Sequence, residues 1–324
     1  MSVVFGPVPS RRLGKSLGIN NIPPKECTFA CVYCQLGNTL KLEIERKVFY
    51  STEKIVGECE KHIKLLNRSN NKIDFLTFVP DGEPTLDLNL GTSISALHKL
   101  GIKIAVITNS SLTGNAEVRE DLSKADWVSL KIDTVNENTW HKINRPHGRV
   151  NFSSVLEGVK IFSNVFNNFL ATETMLVRGF NDNDDELNAA ADFIATLNPN
   201  KAYISIPTRP PAENGCVPPD IEVIHKAYQI FKSKGIDAEL IIGYEGNEFS
   251  STGNFVEDIL NITAVHPMRN DAVESLLEKD GGMSSDLDSL VNSGELIKLN
   301  YNQEVFYLRN LKKWRKREQA NPNQ

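Results

Sequence analysis

Apolar runs and amphipathic stretches alternate along most of the chain. Six runs have the length and β-branched content of buried strands: Ile73–Val79, Ile102–Thr108, Trp127–Ile132, Phe169–Val177, Ala202–Ile206 and Ala238–Ile242. Seven other stretches have helical periodicity: Thr52–Asn67, Ser93–Leu100, Ala116–Ser123, Glu137–Lys142, Ser153–Phe162, Asp185–Leu197 and Ile221–Lys234. Strands that alternate with helices form parallel sheets. The pattern therefore predicts an α/β protein with a partial (β/α)6-type, TIM-like barrel.

The pattern changes after the last of these strands. Tyr244–Asn254 is polar, which indicates a linker or lid. Beyond it we predict a short strand at Ile262–Val265, helices at Met268–Lys279 and Ser284–Val291, and a hairpin from Glu295–Asn300 and Glu304–Leu308. Helices followed by a hairpin resemble a winged-helix module.

These patterns divide the chain into four parts. We predict a barrel domain at residues 1–245, a linker at 246–261, a small winged-helix-like domain at 262–311 and a basic tail at 312–324. The tail begins with a cluster of basic residues, and its polar end is expected to be disordered.

Composition and charge narrow the class of protein. The 324 residues include 36 Lys and Arg against 41 Asp and Glu, which gives a formal net charge of −5. The 40% hydrophobic content excludes a disordered, collagen-like or disulfide-dense chain. No apolar stretch approaches the roughly 20 residues of a membrane helix, and the first ten residues lack the plan of a signal peptide. We therefore expect a cytoplasmic protein with no membrane partner.

Three of the five cysteines lie close together, at Cys27, Cys31 and Cys34. Thiols packed this closely in a reducing compartment are usually metal ligands and not a disulfide framework. A structural zinc needs four ligands, so a zinc clip would have to borrow one from His62, Cys59 or a distant residue. An iron–sulfur cluster held by three thiolates leaves one iron open to a small molecule. The spacing favours this open site.

Polar residues recur where the predicted strands end, which is the end of a parallel barrel that carries its chemistry. Pro80–Thr85, Thr108–Ser111 and Pro207–Pro211 follow three of the strands, and Lys131 and Asp133 close a fourth. Strand alternation places Lys131 and Asp133 on one face, toward the barrel interior. A buried charged pair is costly unless it is used or well hydrogen-bonded. We therefore predict that Lys131 and Asp133 act in catalysis or in nucleotide or substrate binding.

Three further residues each allow two interpretations. Arg145 either binds a carboxylate or phosphate through both of its terminal nitrogens or lies on the surface. Glu173 interrupts an apolar strand, and we expect it to face the cavity instead of solvent. Cys216 is either a thiol beside the substrate or, as we prefer, an ordinary loop cysteine.

The spacing Cys27-x3-Cys31-x2-Cys34, with Tyr33 before the last cysteine, resembles the signature of radical S-adenosylmethionine (radical SAM) enzymes. The resemblance covers residues 10–245. It implies a [4Fe–4S] cluster on the three cysteines, with the fourth iron chelated by the amino and carboxylate groups of S-adenosylmethionine (SAM). An electron donor such as flavodoxin or ferredoxin would reduce the cluster. SAM cleavage would then yield a 5′-deoxyadenosyl radical that abstracts hydrogen from a substrate.

The same resemblance implies contacts to the cofactor. Tyr33 would lie against the adenine. Gly82, Glu83 and Pro84 look like the family segment that binds the methionine ammonium, and a strand end with a carboxylate suits a cation. An ordinary turn is the alternative. Asp81 departs from the family pattern, because many members carry a second glycine there.

Asn109 and Ser111 are similar to family positions that bond the ribose hydroxyls. The alternative is a helix N-cap, a position at which both residue types are preferred.

A narrower resemblance concerns the segment Phe5–Gly14, Lys131 and Ile143–Pro146. These residues are similar to those of iron–sulfur oxidoreductases related to the tRNA wybutosine-synthesis enzyme. Cys27 is the first cysteine of this chain, so the upstream cysteines that hold a second cluster in that enzyme are missing. Its specific reaction is therefore not carried over.

Three functions are compatible with these features. The first is a radical enzyme that modifies RNA, with tRNA as the preferred substrate and five positive charges at 312–317 available for phosphates; the negative net charge counts against it. The second is a radical enzyme that acts on a protein or small molecule, such as an activator of a glycyl-radical partner. The third and least favoured is an iron–sulfur sensor, which would not need Glu83 or Lys131.

Overall fold

The computed structural model describes residues 3–68, 72–243, 246–247, 249 and 251–313. Its centre is one eight-stranded sheet. The strands up to residue 241 are β1 (Val4–Ser10), β2 (Gly14–Ile19), β3 (Glu26–Cys27), β4 (Lys41–Leu42), β5 (Phe75–Phe78), β6 (Lys103–Thr108), β7 (Trp127–Lys131), β8 (Phe169–Met175), β9 (Lys201–Ser205) and β10 (Ala238–Ile241). The sheet order is β1-β2-β5-β6-β7-β8-β9-β10, and β3 pairs with β4 separately.

The strands from β2 onward are parallel, and only β1 runs antiparallel to its neighbour. The connecting helices are α1 (Thr52–Arg68), α2 (Leu90–Leu97), α3 (Ala116–Ser123), α4 (Glu137–Ile143), α5 (Phe152–Val165), α6 (Asp184–Leu197) and α7 (Ile221–Ser233). The sheet curls into a partial TIM-like barrel, which confirms the predicted α/β fold. The six predicted strands and seven predicted helices are all present, with ends shifted by a few residues.

The two faces of the sheet differ because side chains alternate along each strand. The outer face carries residues such as Phe78, Val106 and Leu130, which form the main core with the helices. The inner face is layered. An apolar floor contains Leu13, Ala105, Trp127, Ala171 and Tyr203. Above it the face becomes polar and then charged toward the carboxyl ends of the strands.

The part after residue 254 contains α8 (Phe255–Val265), β11 (Met268–Arg269), α9 (Asn270–Asp280), α10 (Ser284–Asn292), β12 (Leu296–Tyr301) and β13 (Glu304–Arg309). Its three strands form an antiparallel sheet in the order β11-β13-β12. The predicted second helix and the hairpin are present. We call residues 255–313 the C-terminal module.

Two predictions for this region are wrong. Ile262–Val265 is the last turn of α8 and not a strand. The helix forms because Asn254 caps it and because Phe255, Ile259 and Ile262 recur on one buried face. Residues Met268–Arg269, predicted to begin a helix, pair with β13 instead. The predicted linker at 246–261 therefore already contains the first half of α8.

The C-terminal module shares a core with the first strand of the barrel. Phe5 and Val8 of β1 pack with Ile259, Ile262 and Met268. The β1–β2 hairpin thus contacts the module on one side and the barrel on the other. From Trp314 onward the predicted basic tail lies outside the described residues. Within the described part of the chain, no helix has the length and apolar character needed to cross a membrane.

Candidate active site

The clustered cysteines lie in the segment that begins at β3 and crosses the carboxyl end of the barrel. Backbone hydrogen bonds attach this segment to the turn after α4: Ala30 N donates to Asn144 O at 3.0 Å, and Val32 N donates to Ile143 O at 3.0 Å. Cys34 N closes a turn on Cys31 O at 3.1 Å. The cysteine loop is therefore held in place by the barrel and not free in solvent.

Each cysteine sulfur has a side-chain nitrogen within hydrogen-bond distance. Lys25 Nζ lies 3.3 Å from Cys34 Sγ, Asn109 Nδ2 3.5 Å from Cys27 Sγ, and Asn144 Nδ2 3.5 Å from Cys31 Sγ. These donors come from three separate parts of the fold. Hydrogen bonds to cluster sulfurs stabilise negative charge and adjust the reduction potential. The surroundings of the loop thus suit thiolates that carry a metal cluster.

Burial governs the proton affinity of these thiols. It raises the pKa of Cys27 to about 12 and also raises the pKa of Cys31, with smaller contributions from nearby carboxylates. Without a metal the two groups stay protonated at neutral pH. Because a metal binds thiolates, loading the site must release protons.

The donor set fits an iron–sulfur cluster. In the ranges that the structure describes, no three His, Cys, Asp or Glu side chains are arranged to hold a single metal ion. A four-iron cluster distributes its thiolates over different irons, so its ligands do not need to converge on one point. Three spaced cysteines with one nitrogen donor each meet that requirement.

The Gly82–Pro84 turn at the end of β5 lies directly against the cysteine loop. A Cβ atom on Gly82 would be 1.8 Å from the carbonyl oxygen of Glu26, so only glycine permits this approach. Glu83 N donates to the same carbonyl at 3.3 Å. Pro84 opens a short 3-10 turn that Glu83 caps. The predicted segment and the cysteines therefore form one structural unit.

The Glu83 carboxylate is fully buried and bound by neutral donors. Oε1 accepts from Thr85 N, Thr85 Oγ1 and Thr108 Oγ1 at 3.1, 2.7 and 2.6 Å, and Oε2 accepts from Asn109 N at 2.7 Å. Burial raises the pKa of Glu83, while these hydrogen bonds act in the opposite direction. Among the described residues Oε2 has one donor only. It can therefore still accept a hydrogen bond from a cation.

Asn109 and Ser111 both contact Thr28 in the cysteine loop. Asn109 Nδ2 and Ser111 Oγ each lie 2.7 Å from Thr28 Oγ1. Neither caps the following helix, because Asn115 caps α3 with a 2.9 Å bond from Glu117 N. The N-cap alternative is therefore wrong.

Tyr33, Asp133 and Asn144 form a buried hydrogen-bonded group. The Tyr33 hydroxyl donates to Asp133 Oδ2, which also accepts from Asn144 Nδ2 at 2.7 Å. Asp133 Oδ1 accepts from Met175 N at 2.9 Å. Burial, followed by the charge of Asp133, raises the pKa of Tyr33, so the phenol keeps its proton. Asp133 thus orients the aromatic ring beside the cysteines.

Lys131 is paired with Glu173 and not with Asp133. Its Nζ lies 2.9 Å from Glu173 Oε1 and 5.1 Å from the centre of the Tyr33 ring. Glu173 also contacts Arg12 and accepts from Ser205 Oγ at 3.1 Å. Burial lowers the pKa of Lys131. Glu173 is buried and faces the barrel interior instead of solvent. Lys131 and Asp133 lie at the same end of the barrel with different partners.

A small cavity brings several of the predicted residues together. We call it the inner cavity. Its lining includes Asn109, Lys131, Asp133, Asn144, Phe29 and Trp140.

Three other candidates do not line the inner cavity. Arg145 forms a 2.7 Å ion pair with Glu213, and both side chains are about half exposed. Cys216 is buried in an apolar cluster with Val32 and Val177. Cys59 packs into the main core.

Sequence reasoning missed Lys25, Asn144 and Arg12. Asn144 and Arg12 lie within segments that carry a family resemblance, but no local spacing indicates their contacts. Lys25 precedes the cysteines by two residues, and a basic residue beside a ligand motif is the signal that could have identified it.

The family model of the radical SAM superfamily matches residues 21–194. A UPF0026 protein of Methanocaldococcus jannaschii is 48% identical over 314 residues, which cover 96% of this chain and 97% of the relative. The chain therefore belongs to the radical SAM superfamily and is an iron–sulfur radical SAM enzyme, as predicted. A UPF0026 protein of Synechocystis is 35% identical over 209 residues, or 64% of this chain and 76% of the relative.

Solved structures share the fold. A radical SAM methyltransferase from Sphaerobacter thermophilus has a TM-score of 0.52 at 14% identity, over 70% of this chain and 66% of that chain. Streptococcus suis SuiB bound to S-adenosylmethionine has a TM-score of 0.51 at 13% identity, over 69% of this chain and 49% of that chain. At this identity the likeness concerns the barrel alone.

Proposed function

We propose that this enzyme holds a [4Fe–4S] cluster on Cys27, Cys31 and Cys34 and cleaves SAM reductively at that cluster. One observation carries the proposal: three sulfurs, each with its own nitrogen donor, lie against a glycine-dependent turn that presents a buried carboxylate. When bound, the cluster supplies the electron that breaks the sulfonium bond and gives a 5′-deoxyadenosyl radical. The electron comes from a flavodoxin- or ferredoxin-type donor.

The Glu83 turn is the proposed site for the ammonium of SAM. Four neutral donors fix the Glu83 carboxylate, and Oε2 retains capacity for another bond. A fixed carboxylate binds a cation with little loss of side-chain entropy. Gly82 contributes by allowing the turn to reach the cysteine loop.

The side chains of Asn109 and Ser111 mark the proposed site for the nucleoside of SAM. Phe29 and Trp140 supply apolar surface, and Asn109 supplies an amide. Tyr33 and Ser111 keep their proposed adenine and ribose contacts from the family resemblance. Because Asn109 and Ser111 already bind Thr28, we expect them to position the cysteine loop as well.

Lys131 and Asp133 have different proposed roles. Asp133 binds Tyr33 and Asn144, so it acts as a positioning residue for the cluster surroundings. Lys131 is held by Glu173 where the barrel interior opens. We assign it to contact with the nucleotide or substrate.

The first test is SAM cleavage by the anaerobically reconstituted full chain with a chemical reductant. We expect 5′-deoxyadenosine from the native protein and less than about 1% of that yield from Cys31→Ala, because the loss of one of three ligands removes the cluster. Cys59→Ala, which removes a buried thiol of α1 from the main core, is the matched control and should remain active. A Cys31→Ala protein that still produced 5′-deoxyadenosine, or a native protein that purified with zinc, would contradict the proposal.

For the substrate of the radical we propose tRNA, separately from the proposed SAM cleavage. We propose that the C-terminal module, with the order α8-β11-α9-α10-β12-β13, is a winged-helix module, and a basic sequence follows it. Of that sequence, the described Lys313 is paired with Glu295 at 3.1 Å. We expect the affinity for tRNA to fall as the salt concentration rises. The slope of log affinity against log salt concentration should become less steep when the five basic residues at 312–317 are replaced by glutamine. Binding that does not depend on salt, or an unchanged slope in that variant, would contradict tRNA as the substrate and favour a protein or a small molecule.

A further inference from the structure

A second cavity lies between the β1–β2 hairpin, the cysteine loop and the end of α8. We call it the arginine cavity. Its described lining includes Arg11, Arg12, Arg209 and His266 and contains no Asp or Glu. Gln35, the residue after Cys34, also lines it, so the cavity adjoins the cysteine loop.

None of the residues assigned to SAM lines the arginine cavity. The Gly82–Pro84 turn, Asn109, Ser111 and Tyr33 lie elsewhere. The cavity is thus available to a second molecule while SAM occupies its proposed site. Through Gln35 it adjoins the cysteine loop, so a molecule bound there lies next to the proposed cluster ligands.

Arg12 is the group best placed to bind that molecule. One terminal nitrogen contacts Glu173, which fixes the guanidinium. Its Nε and its other terminal nitrogen have no hydrogen-bond partner among the described residues, and the side chain remains 20% exposed. Burial and the like charges of Arg11 and Arg209 lower the pKa of Arg12 to about 10, which still leaves it charged at neutral pH.

The neighbouring arginines are oriented by other contacts. Arg11 donates to the carbonyl oxygens of Ile241 and Gly243 at 3.0 and 2.6 Å. Arg209 contacts Gln35 and lies 2.8 Å from His266 Nε2. Both therefore contribute positive potential to a cavity in which Arg12 still has donors to offer.

The rest of the lining combines polar and apolar groups. Ser16 and Thr77, whose hydroxyls are 2.6 Å apart, lie on the barrel side. Phe5, Val8 and Val265 supply apolar walls. Such a lining suits a small molecule with an apolar body and one oxyanion group. A planar guanidinium with two free donors matches a phosphate or carboxylate in geometry and charge.

We propose that the arginine cavity binds the substrate of this enzyme, a small molecule whose phosphate or carboxylate group contacts Arg12. The inference rests on the proposed SAM cleavage, because it places that molecule beside the cysteine loop, and it takes the small-molecule alternative in place of tRNA as the substrate. The C-terminal module takes part, since Val265 and His266 form one wall.

The test is calorimetric titration of the anaerobically reconstituted full chain, in the presence of SAM, with three probes: inorganic phosphate, butyrate and the neutral analogue butyramide. We expect at least one anion to bind and butyramide not to bind. Arg12→Met should weaken anion binding at least tenfold. Arg149→Met, which removes an exposed arginine paired with Glu45, is the matched control and should bind as the native protein does.

The proposal is overturned if neither anion binds the native protein, or if Arg12→Met binds as tightly as Arg149→Met. Thermal melting shows whether each variant folds. If Arg12→Met does not fold, Arg12→Lys replaces it; this variant keeps the charge but loses the forked donors, and unchanged affinity would count against the contact. Competition by tRNA against phosphate would reassign the site to an RNA phosphate and likewise overturn the small-molecule assignment.

The outcome is separable from that of the proposed function. 5′-Deoxyadenosine formation by the native protein needs none of the three probes. If it occurs while no anion binds, the cavity assignment fails and the radical chemistry stands. If an anion binds through Arg12 but no 5′-deoxyadenosine forms, the proposed function fails instead.

Discussion

Lys25 provides the sharpest test of how the protein sets the reduction potential of its cluster. Its Nζ lies 3.3 Å from Cys34 Sγ and 2.7 Å from the carbonyl oxygen of Gly37. Lys25→Met removes one positive charge next to a cluster ligand. Because reduction adds an electron, loss of a nearby cation disfavours the reduced state, so we expect the reduction potential to become more negative.

The magnitude follows from the distance. At an effective dielectric constant of about 20, two unit charges at this separation interact by about 5 kcal/mol. The added electron is shared over the whole cluster and not confined to one sulfur, so we take about a third, ~1.5 kcal/mol, as the effect. For a one-electron couple this corresponds to a shift of about 60 mV.

The assay is a redox titration of the reconstituted protein, monitored by the electron paramagnetic resonance signal of the reduced cluster. Lys25→Gln, which keeps a donor but no charge, should shift the potential nearly as much as Lys25→Met. Lys61→Met, on the exposed face of α1, is the control and should not shift it. An unchanged or more positive potential in a Lys25→Met protein with full iron content would refute the reasoning.

Three further outcomes are expected. Gly82→Ala should lower the free energy of unfolding by about 3 kcal/mol or more and reduce the iron content, because the new Cβ would meet a carbonyl oxygen at 1.8 Å. The control is Gly57→Ala, where a Cβ meets no atom within 4 Å, and it should leave the stability and the iron content unchanged. Glu173→Gln should lower the free energy of unfolding in urea by on the order of 2 kcal/mol, since two partly buried cations lose their shared carboxylate. Burial raises the pKa of Asp81 to about 8, so native stability should fall as pH rises from about 4 to 8, and Asp81→Asn should weaken that dependence.

Each of these outcomes has a clear opposite. Normal iron content in Gly82→Ala would mean that the turn does not need its close approach to the cysteine loop. Native-like stability of Glu173→Gln would mean that solvent already screens the two cations. Equal pH profiles for Asp81→Asn and the native protein in thermal melting would mean that the buried carboxyl group titrates normally.

Local sequence patterns were sufficient to predict most of the barrel and to single out the proposed cluster ligands. The six buried strands are short apolar runs between helices, and each stands out in its own segment. The cysteines and the Gly82–Pro84 turn are likewise contiguous motifs. These motifs could be recognised because the information that specifies them lies within a few neighbouring positions.

The features that could not be predicted depend on distant contacts or on position in the sheet. Asn144 reaches Cys31 across 113 positions, and Arg12 reaches Glu173 across 161. Strand β1 contains Pro7 and Pro9, which disfavour a strand except at a sheet edge, and β1 is an edge strand.

The order of the strands has a practical consequence for dissecting this enzyme. The family match begins at residue 21 and ends at 194, whereas the sheet begins with β1 and β2 and ends with β9 and β10. A fragment cut at the family limits would strip two strands from each side and leave β5 and β8 with unpaired backbone edges. Such edges recruit other chains. We expect that fragment to aggregate. The smallest part of the chain that folds independently must therefore extend beyond the residues that the family model matches.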